Sequence, residues 1–396
     1  MNDLQEFDII VYGATGFTGR LVVEYLHQRY GNGGQIRWAM AGRSVEKLVS
    51  VRDEIGAPAD TPLVVADSNN EAQMTAMVQS TKLVITTVGP FQLYGSELVG
   101  LCARHGTDYV DLCGESVWMR QMIDLHQEEA ERSGARIVFS CGFDSIPTDL
   151  GIFELQRLAK QQLGDVCSRV MGRVRGLQGT FSGGTAASIQ VSFAAAKDDP
   201  EIYKLAIDHY SLVPESLAKG APKVEQPNGD QVYYQEELGS WVAPFVMAAI
   251  NTRNVHRSNA LLGHAYGQQF RYDEMMMTGP GEKGQAVAKH VAADRSIAGP
   301  DAPKPGEGPS KEEREAGFYD ILYIGTTDDG KKISVNVKGD RDPGYGSTSK
   351  MIAESAICLI KDCPETQGGI WTTAPAMGSK LIKRLEANAG LSFTQV

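Results

Sequence analysis

The stretch Phe7–Arg20, FDIIVYGATGFTGR, decides the fold. Its first six residues form a short apolar, β-branched run, the pattern of a strand buried on both faces. The residues from Phe17 to Tyr30 place Leu21, Val22, Tyr25 and Leu26 on one helical stripe. Between strand and helix stand Gly13, Gly16 and Gly19, with Thr15, Phe17 and Thr18 in the gaps. Gly13 allows the sharp turn, Gly16 lets the backbone approach a diphosphate, and Gly19 lets the helix pack close to the sheet. The unpaired N–H groups and partial positive charge of the helix start then favour phosphate. The spacing is G-x-x-G-x-x-G, which shifts the middle glycine from its commoner place. A glycine-rich turn without a ligand is the competing reading, and the strand and helix around it weigh against that.

Outward from this loop the same rhythm repeats. Short apolar strands are expected at 36–41, 62–66, 82–87, 108–112 and 136–141, with helices at 45–55, 70–78, 94–105 and 117–132 between them. Gly106 and Gly134 are placed to end two of those helices. Strands alternating with helices predict an α/β fold, a Rossmann-type doubly wound parallel sheet covered on both faces. After Thr148 the pattern changes. Residues 169–177 and 319–338 read as longer, alternating strands, the second run folded at Asp329-Gly330. A second α+β domain on a more antiparallel sheet is therefore expected. Residues 214–230 and 299–317 read as loose, the latter as a mobile loop. Helices return at 347–360 and 377–389.

The loop after the second strand concerns the type of dinucleotide. An enzyme that uses NAD usually carries Asp or Glu there for the ribose 2′-hydroxyl. This chain has Gly42, Arg43 and Ser44, with Lys47 one turn on. A guanidinium suits a 2′-phosphate, so NADP(H) is expected. Ser44 also suits a helix cap. Asp67, after the third strand, suits either the adenine amino group or a helix cap. Val88, Gly89 and Pro90 follow the fourth strand, where the nicotinamide side of a cofactor lies.

Tyr94, Asp111, Glu115, Asp144 and Ser145 follow the ends of the later strands, the ligand-binding edge of an open parallel sheet. Tyr94 is the first candidate proton donor and Tyr345 the second; Asp144 and Ser145 are further catalytic candidates that also suit helix caps. Ser182-Gly183-Gly184-Thr185 suits a substrate loop or a turn with a cap. No metal-ligand spacing, nucleophile elbow or Walker lysine occurs, and the six cysteines read as free thiols in a reducing compartment. The net charge of −11 excludes a nucleic-acid backbone or an anionic membrane as the main partner. No apolar run is long enough to span a bilayer, and the polar start at residues 1–6 does not read as a signal peptide.

The stretches YGATGFTGR (12–20), AGRS (41–44), VGPFQLYG (88–95), CGFDSIPTDLG (141–151), SGGTAAS (182–188), DPGYGSTSKMIAES (342–355) and GGIWTTAPAMG (368–378) run from end to end of the chain. Through them it resembles the saccharopine dehydrogenase-like oxidoreductases. The branch in question includes mycobacterial trans-acting enoyl reductases and the eukaryotic saccharopine dehydrogenase-like protein. The resemblance implies an NADP-binding Rossmann domain at 1–148, to which 344–396 return, and an inserted substrate and dimerisation domain at 149–343. It also implies a reductase. The first hypothesis is NADPH-dependent reduction of a conjugated C=C bond in an enoyl thioester, polyketide or lipid intermediate. Opine-type imine chemistry is the alternative substrate class and would want carboxylate-binding Arg253 or Arg257. A non-catalytic, lipid-associated NADP-binding protein is the second hypothesis, with 241–250 and Met275–Met277 as an apolar groove. A cytoplasmic homodimer is expected, with peripheral membrane association left open.

Overall fold

The computed structural model describes residues 5–31, 34–180, 182–296, 299, 303–304 and 306–396. Residues 1–4, part of the start read as lacking a signal peptide, lie outside these, as do 300–302 and 305 of the expected mobile loop. Strands β1 (Phe7–Tyr12), β2 (Trp38–Gly42), β3 (Leu63–Val65), β4 (Thr81–Thr86), β5 (Asp108–Val110) and β6 (Arg136–Val138) alternate with helices. These are α1 (Phe17–Tyr30), α2 (Val45–Glu54), α3 (Glu71–Gln79), the short α4 (Phe91–Tyr94), α5 (Ser96–His105) and α6 (Ser116–Ser133). The chain continues through α7 (Ile146–Leu163), β7 (Arg169–Gln178), α8 (Gly183–Asp198), α9 (Pro200–Ile207), α10 (Glu215–Ala218), β8 (Tyr233–Gln235) and β9 (Ser240–Pro244). Then come α11 (Ala248–Leu261), β10 (Arg271–Gly279), α12 (Gly281–Ala293), α13 (Lys311–Ala316), β11 (Phe318–Thr326) and β12 (Lys332–Gly339). The last elements are α14 (Thr348–Lys361), β13 (Gly369–Trp371), α15 (Thr373–Asn388) and β14 (Leu391–Gln395).

The first sheet is parallel throughout, in the order β13-β6-β5-β4-β1-β2-β3. The strand order reverses between β1 and β4, and the crevice at their carboxyl ends is the ligand position of such sheets. The second sheet runs β14-β12-β11-β7-β10-β9-β8 and is antiparallel except where β7 meets β10. Gly330 turns the β11–β12 hairpin at φ 83°, and Ile333, Val335 and Val337 are buried together. The two sheets share one apolar core through α7, whose Gly151 lies against Tyr323 and Val337. On the other side α14 packs by α1: the buried Glu354 accepts from the hydroxyls of Tyr25 and Tyr30, both at 2.6 Å, and pairs with Arg384 at 3.1 Å.

Several expectations are corrected. The helix expected at 94–105 starts at Ser96, and Tyr94 belongs to the separate α4; Gly95 lies between them, where a Cβ would stand 2.8 Å from Trp118. Within 299–317, residues 311–316 form α13, started by a reciprocal cap between Ser310 and Glu313. In 214–230, the buried Gln226 donates to Phe270 O and accepts from Tyr272 N, each at 3.0 Å, so this stretch is anchored to β10. Met275, Met276 and Met277 pair in register with Pro244, Ala243 and Val242 as adjacent strands, while the rest of 241–250 runs on into the start of α11.

Candidate functional site

The glycine loop is built for close approach. β1 ends at Tyr12 and the chain turns at Gly13, whose φ of 87° a side chain would resist. A Cβ on Gly19 would fall 2.1 Å from Gly13 O and 2.9 Å from Thr87 Oγ1, so α1 sits directly on the turn and on the end of β4. Gly16 differs. It is exposed, and its Cβ would meet only Gly13 O, at 3.3 Å. It stands at the N-cap of α1 with no capping side chain and no acid in the first turn. The first-turn amides therefore lack intrahelical acceptors and face outward with the positive end of the helix. The chemistry of this donor set fits a diphosphate.

The adenosine end collects at the ends of β1, β2 and β3. Arg43 is exposed directly after β2 and takes part in no ion pair among the described residues. Ser44 caps α2, accepting from Lys47 N at 3.3 Å and donating to Glu46 at 2.7 Å. Asp67 does not cap the following helix. Asn70 does so, accepting from Gln73 N, while Asp67 folds an Asx turn onto Asn69 N at 2.9 Å. The buried Tyr12 hydroxyl bonds Ser68, with Asp67 and Arg43 close by, and burial pushes the phenol up. Tyr12 was not singled out in the sequence, although as the last residue of β1 it had to reach one face of this crevice.

The ends of β4, β5 and β6 form the other half. Glu115 accepts from Phe91 N and Gln92 N, both at 2.8 Å, and so fixes the turn of Gly89, Pro90 and α4. Asp111 accepts from Cys113 N at 3.0 Å, Ser140 N at 2.9 Å and Tyr109 Oη at 2.9 Å, which ties the end of β5 to the end of β6. Both carboxylates thus build the frame. Asp144 is of another kind. Cβ atoms on Gly142 and Gly114 would lie 3.0 and 3.6 Å from its oxygens, so two glycines make its niche. No cation pairs with it among the described residues, and burial pushes its carboxyl up to about 7.

Ser145 occupies the N-cap position of α7 but its side chain makes no cap bond; Oγ is buried without a partner among the described residues. Thr348 Oγ1 accepts from Phe143 N at 2.9 Å and donates to Pro343 O at 2.8 Å, which joins the Asp144 loop to the π turn at Pro343–Ser347. Tyr345 arrives on that turn. Its hydroxyl accepts from Ser182 N, lies 3.0 Å from Thr185 Oγ1, and feels the charge of Asp144; burial pushes it up. Its ring packs edge-on to Phe17, 5.1 Å between centroids. The Ser182–Thr185 loop is therefore a partner of Tyr345, and Ser182 makes no side-chain cap. Tyr345 thus lies against Phe17 of the glycine loop and feels the charge of Asp144, with Ser145 next to Asp144 in the chain. Tyr94 stays outside this group, half exposed on α4.

Arg253 and Arg257 stand elsewhere. Both are buried on α11: Arg253 donates to Ala206 O and Ala249 O, and Arg257 to Leu212 O and Ile370 O, each at 2.7 Å. Burial lowers them to about 10 and about 9. They are not surface residues; they hold α9, the segment after it and β13 to α11. All six cysteines are unpaired and buried. Among the described residues no helix is long and apolar enough to cross a membrane.

A family model described as the saccharopine dehydrogenase NADP binding domain matches residues 9–138. The chain is 39% identical over 407 residues to a protein of Mycobacterium ulcerans named trans-acting enoyl reductase, with 96% of each chain covered. A protein of the same name from Mycobacterium bovis is 37% identical over 406 residues, again with 96% of each covered. Among solved structures, saccharopine dehydrogenase (L-Glu forming) from Saccharomyces cerevisiae shares the fold, with a TM-score of 0.55 at 10% identity over 98% of this chain and 100% of that one.

Proposed function

The chain belongs to the saccharopine dehydrogenase-like family, in its trans-acting enoyl reductase branch, and from that premise we propose that it is an NADPH-dependent reductase of a C=C bond conjugated to a carbonyl. The observation that carries the cofactor is Arg43, an unpaired guanidinium where an NAD enzyme holds a carboxylate. Gly13, Thr15, Gly16, Phe17, Thr18 and Gly19 would hold the diphosphate, Arg43 and Ser44 the 2′-phosphate, and Asp67 the adenine. Val88, Gly89 and Pro90 would border the nicotinamide. Bound NADPH supplies a hydride for the β-carbon of the substrate.

The chain's own residues do the rest. Asp144, with its carboxyl raised to about 7, holds a proton near neutral pH and delivers it to the α-carbon. Ser145 Oγ, buried and unpaired, donates to the carbonyl oxygen as enolate charge develops. Tyr345 positions α8 over the site through Ser182 and Thr185. Tyr94, half exposed on α4, takes no step in this scheme. Imine chemistry on an amino dicarboxylate finds less support, because Arg253 and Arg257 are buried on α11 with their terminal nitrogens bonded to backbone carbonyls.

The substrate on this reading is an enoyl thioester or a lipid-like relative. The proposal extends to a cofactor-binding unit at 1–148 joined by 344–396, a substrate unit at 149–343, and a cytoplasmic homodimer. The test is consumption of NADPH and of NADH on adding a 2-enoyl thioester. Turnover with NADPH and little with NADH is expected. Tight NADPH binding with no turnover on any unsaturated thioester would return the chain to a non-catalytic role.

A further inference from the structure

We propose that Arg314 is a cationic ligand of the cofactor diphosphate, carried to the glycine loop on α13; this rests on the NADPH reading above. The segment 307–317 lies against the start of α8, the π turn and Phe17 of the glycine loop. Gly183 N donates to Glu307 O at 3.1 Å, and Asp342 N donates to Arg314 O at 3.0 Å, so the segment is fastened to the start of α8 and to the π turn. It also lies on the glycine loop. A Cβ on Gly308 would meet the Phe17 ring at 2.5 Å, so only glycine passes there. The Arg314 guanidinium carbon stands 5.8 Å from the centroid of the same ring. Phe17 is the first residue of α1, and its amide belongs to the first turn that faces the diphosphate.

Arg314 has donors to spare. Nη1 gives one bond, to Pro309 O at 2.7 Å, and the side chain joins no ion pair among the described residues. The nearby carboxylate of Asp342 is turned to the amides of Tyr345 and Gly346, at 3.0 and 2.7 Å. Glu313 of the same helix is engaged in its cap, accepting from Ser310 N at 2.7 Å. Arg20, the basic residue of α1 nearest the loop, is paired with Glu54 at 2.9 Å. A planar guanidinium with free N–H groups beside a phosphate position forms charge-assisted, often bidentate bonds.

The diphosphate is common to NADPH and NADH, whereas the 2′-phosphate is not, so the two cations have different signatures. Binding is measured by calorimetry on the intact chain, without turnover. Arg314→Gln is expected to weaken NADPH and NADH alike, by about tenfold, and Arg314→Lys by less. Adenosine 2′-monophosphate, which carries neither phosphate of the diphosphate, is expected to bind Arg314→Gln as it binds wild type. Arg43→Ala is the control and is expected to weaken NADPH alone. Unchanged affinity of Arg314→Gln for both dinucleotides, with the Arg43→Ala loss intact, overturns the Arg314 role and leaves the NADPH reading standing. A wild-type chain that binds neither dinucleotide overturns both. A melting curve of each variant separates lost affinity from lost fold; if Arg314→Gln does not fold, equal affinities of Arg314→Lys and wild type for both dinucleotides overturn the role.

Discussion

Replacing Asp144 by Asn removes one ionisable group and almost nothing else. The two side chains have the same shape, and the glycines at 114 and 142 leave the niche unchanged. Burial without a compensating cation raises the carboxyl from 3.8 to about 7. Such a group is half protonated at pH 7 and roughly one part in eleven protonated at pH 8. Turnover that draws on its proton therefore falls about tenfold per pH unit above 7. The amide has no proton to give, so Asp144→Asn is expected to lower kcat by about 100-fold or more, spare NADPH affinity, and abolish the basic limb. The assay is steady-state oxidation of NADPH with a saturating 2-enoyl thioester between pH 5.5 and 9. A variant with wild-type kcat, or with the basic limb intact, refutes the assignment. Stability gives a second readout. The folded carboxyl binds its proton more tightly than the unfolded one, so its contribution is fully present below pH ~4 and is lost as pH rises through about 7. The melting temperature of Asp144→Asn is thus expected to depend less steeply on pH across that window.

Other substitutions test separate parts of the site. Arg43→Ala is expected to weaken NADPH by at least tenfold and NADH hardly at all; equal losses for the two would deny the 2′-phosphate role. Gly19→Ala places a Cβ 2.1 Å from fixed backbone and is expected to cost about 3 kcal/mol or more, read as a lower denaturant midpoint. Gly16→Ala, with only one contact at 3.3 Å, should keep that midpoint and lose cofactor affinity instead; the reverse pattern would mean the loop is misread. Arg257→Met leaves the carbonyls of Leu212 and Ile370 without their donor, and a loss of about 2–4 kcal/mol is expected by urea titration, against no change if the guanidinium is idle.

The first sheet was legible because its physics is local. Each short apolar run alternates with a helix, three of which end at Gly31, Gly106 and Gly134, and the loop at 13–19 ties strand to helix within seven residues. β13 was not legible. Three residues, Gly369 to Trp371, carry no period of their own and become a strand only by pairing with β6. α11 was hidden for the opposite reason. Asn251, Arg253, Asn254, His256 and Arg257 are all buried, so the helix has no apolar stripe to betray it. At the site, Arg43 could be read from its place after β2. Asp144 and Ser145 could be located but not separated from helix caps; the structure shows Ser145 at the N-cap position of α7 with no side-chain cap bond, and the catalytic roles given to the two are proposals. Glu115 and Asp111 read as candidates for chemistry, and their partners show them bracing loops. Arg314 was invisible, since its nearness to Phe17 depends on contacts made across almost three hundred residues.

The two outermost late strands lie on different sheets: β13 completes the edge of the parallel one, and β14 pairs with β12 on the other. Without residues 369–395, β6 and β12 become the outer strands of their sheets, each with unpaired N–H and C=O groups along one side, so a cut before residue 369 is expected to favour edge-to-edge association.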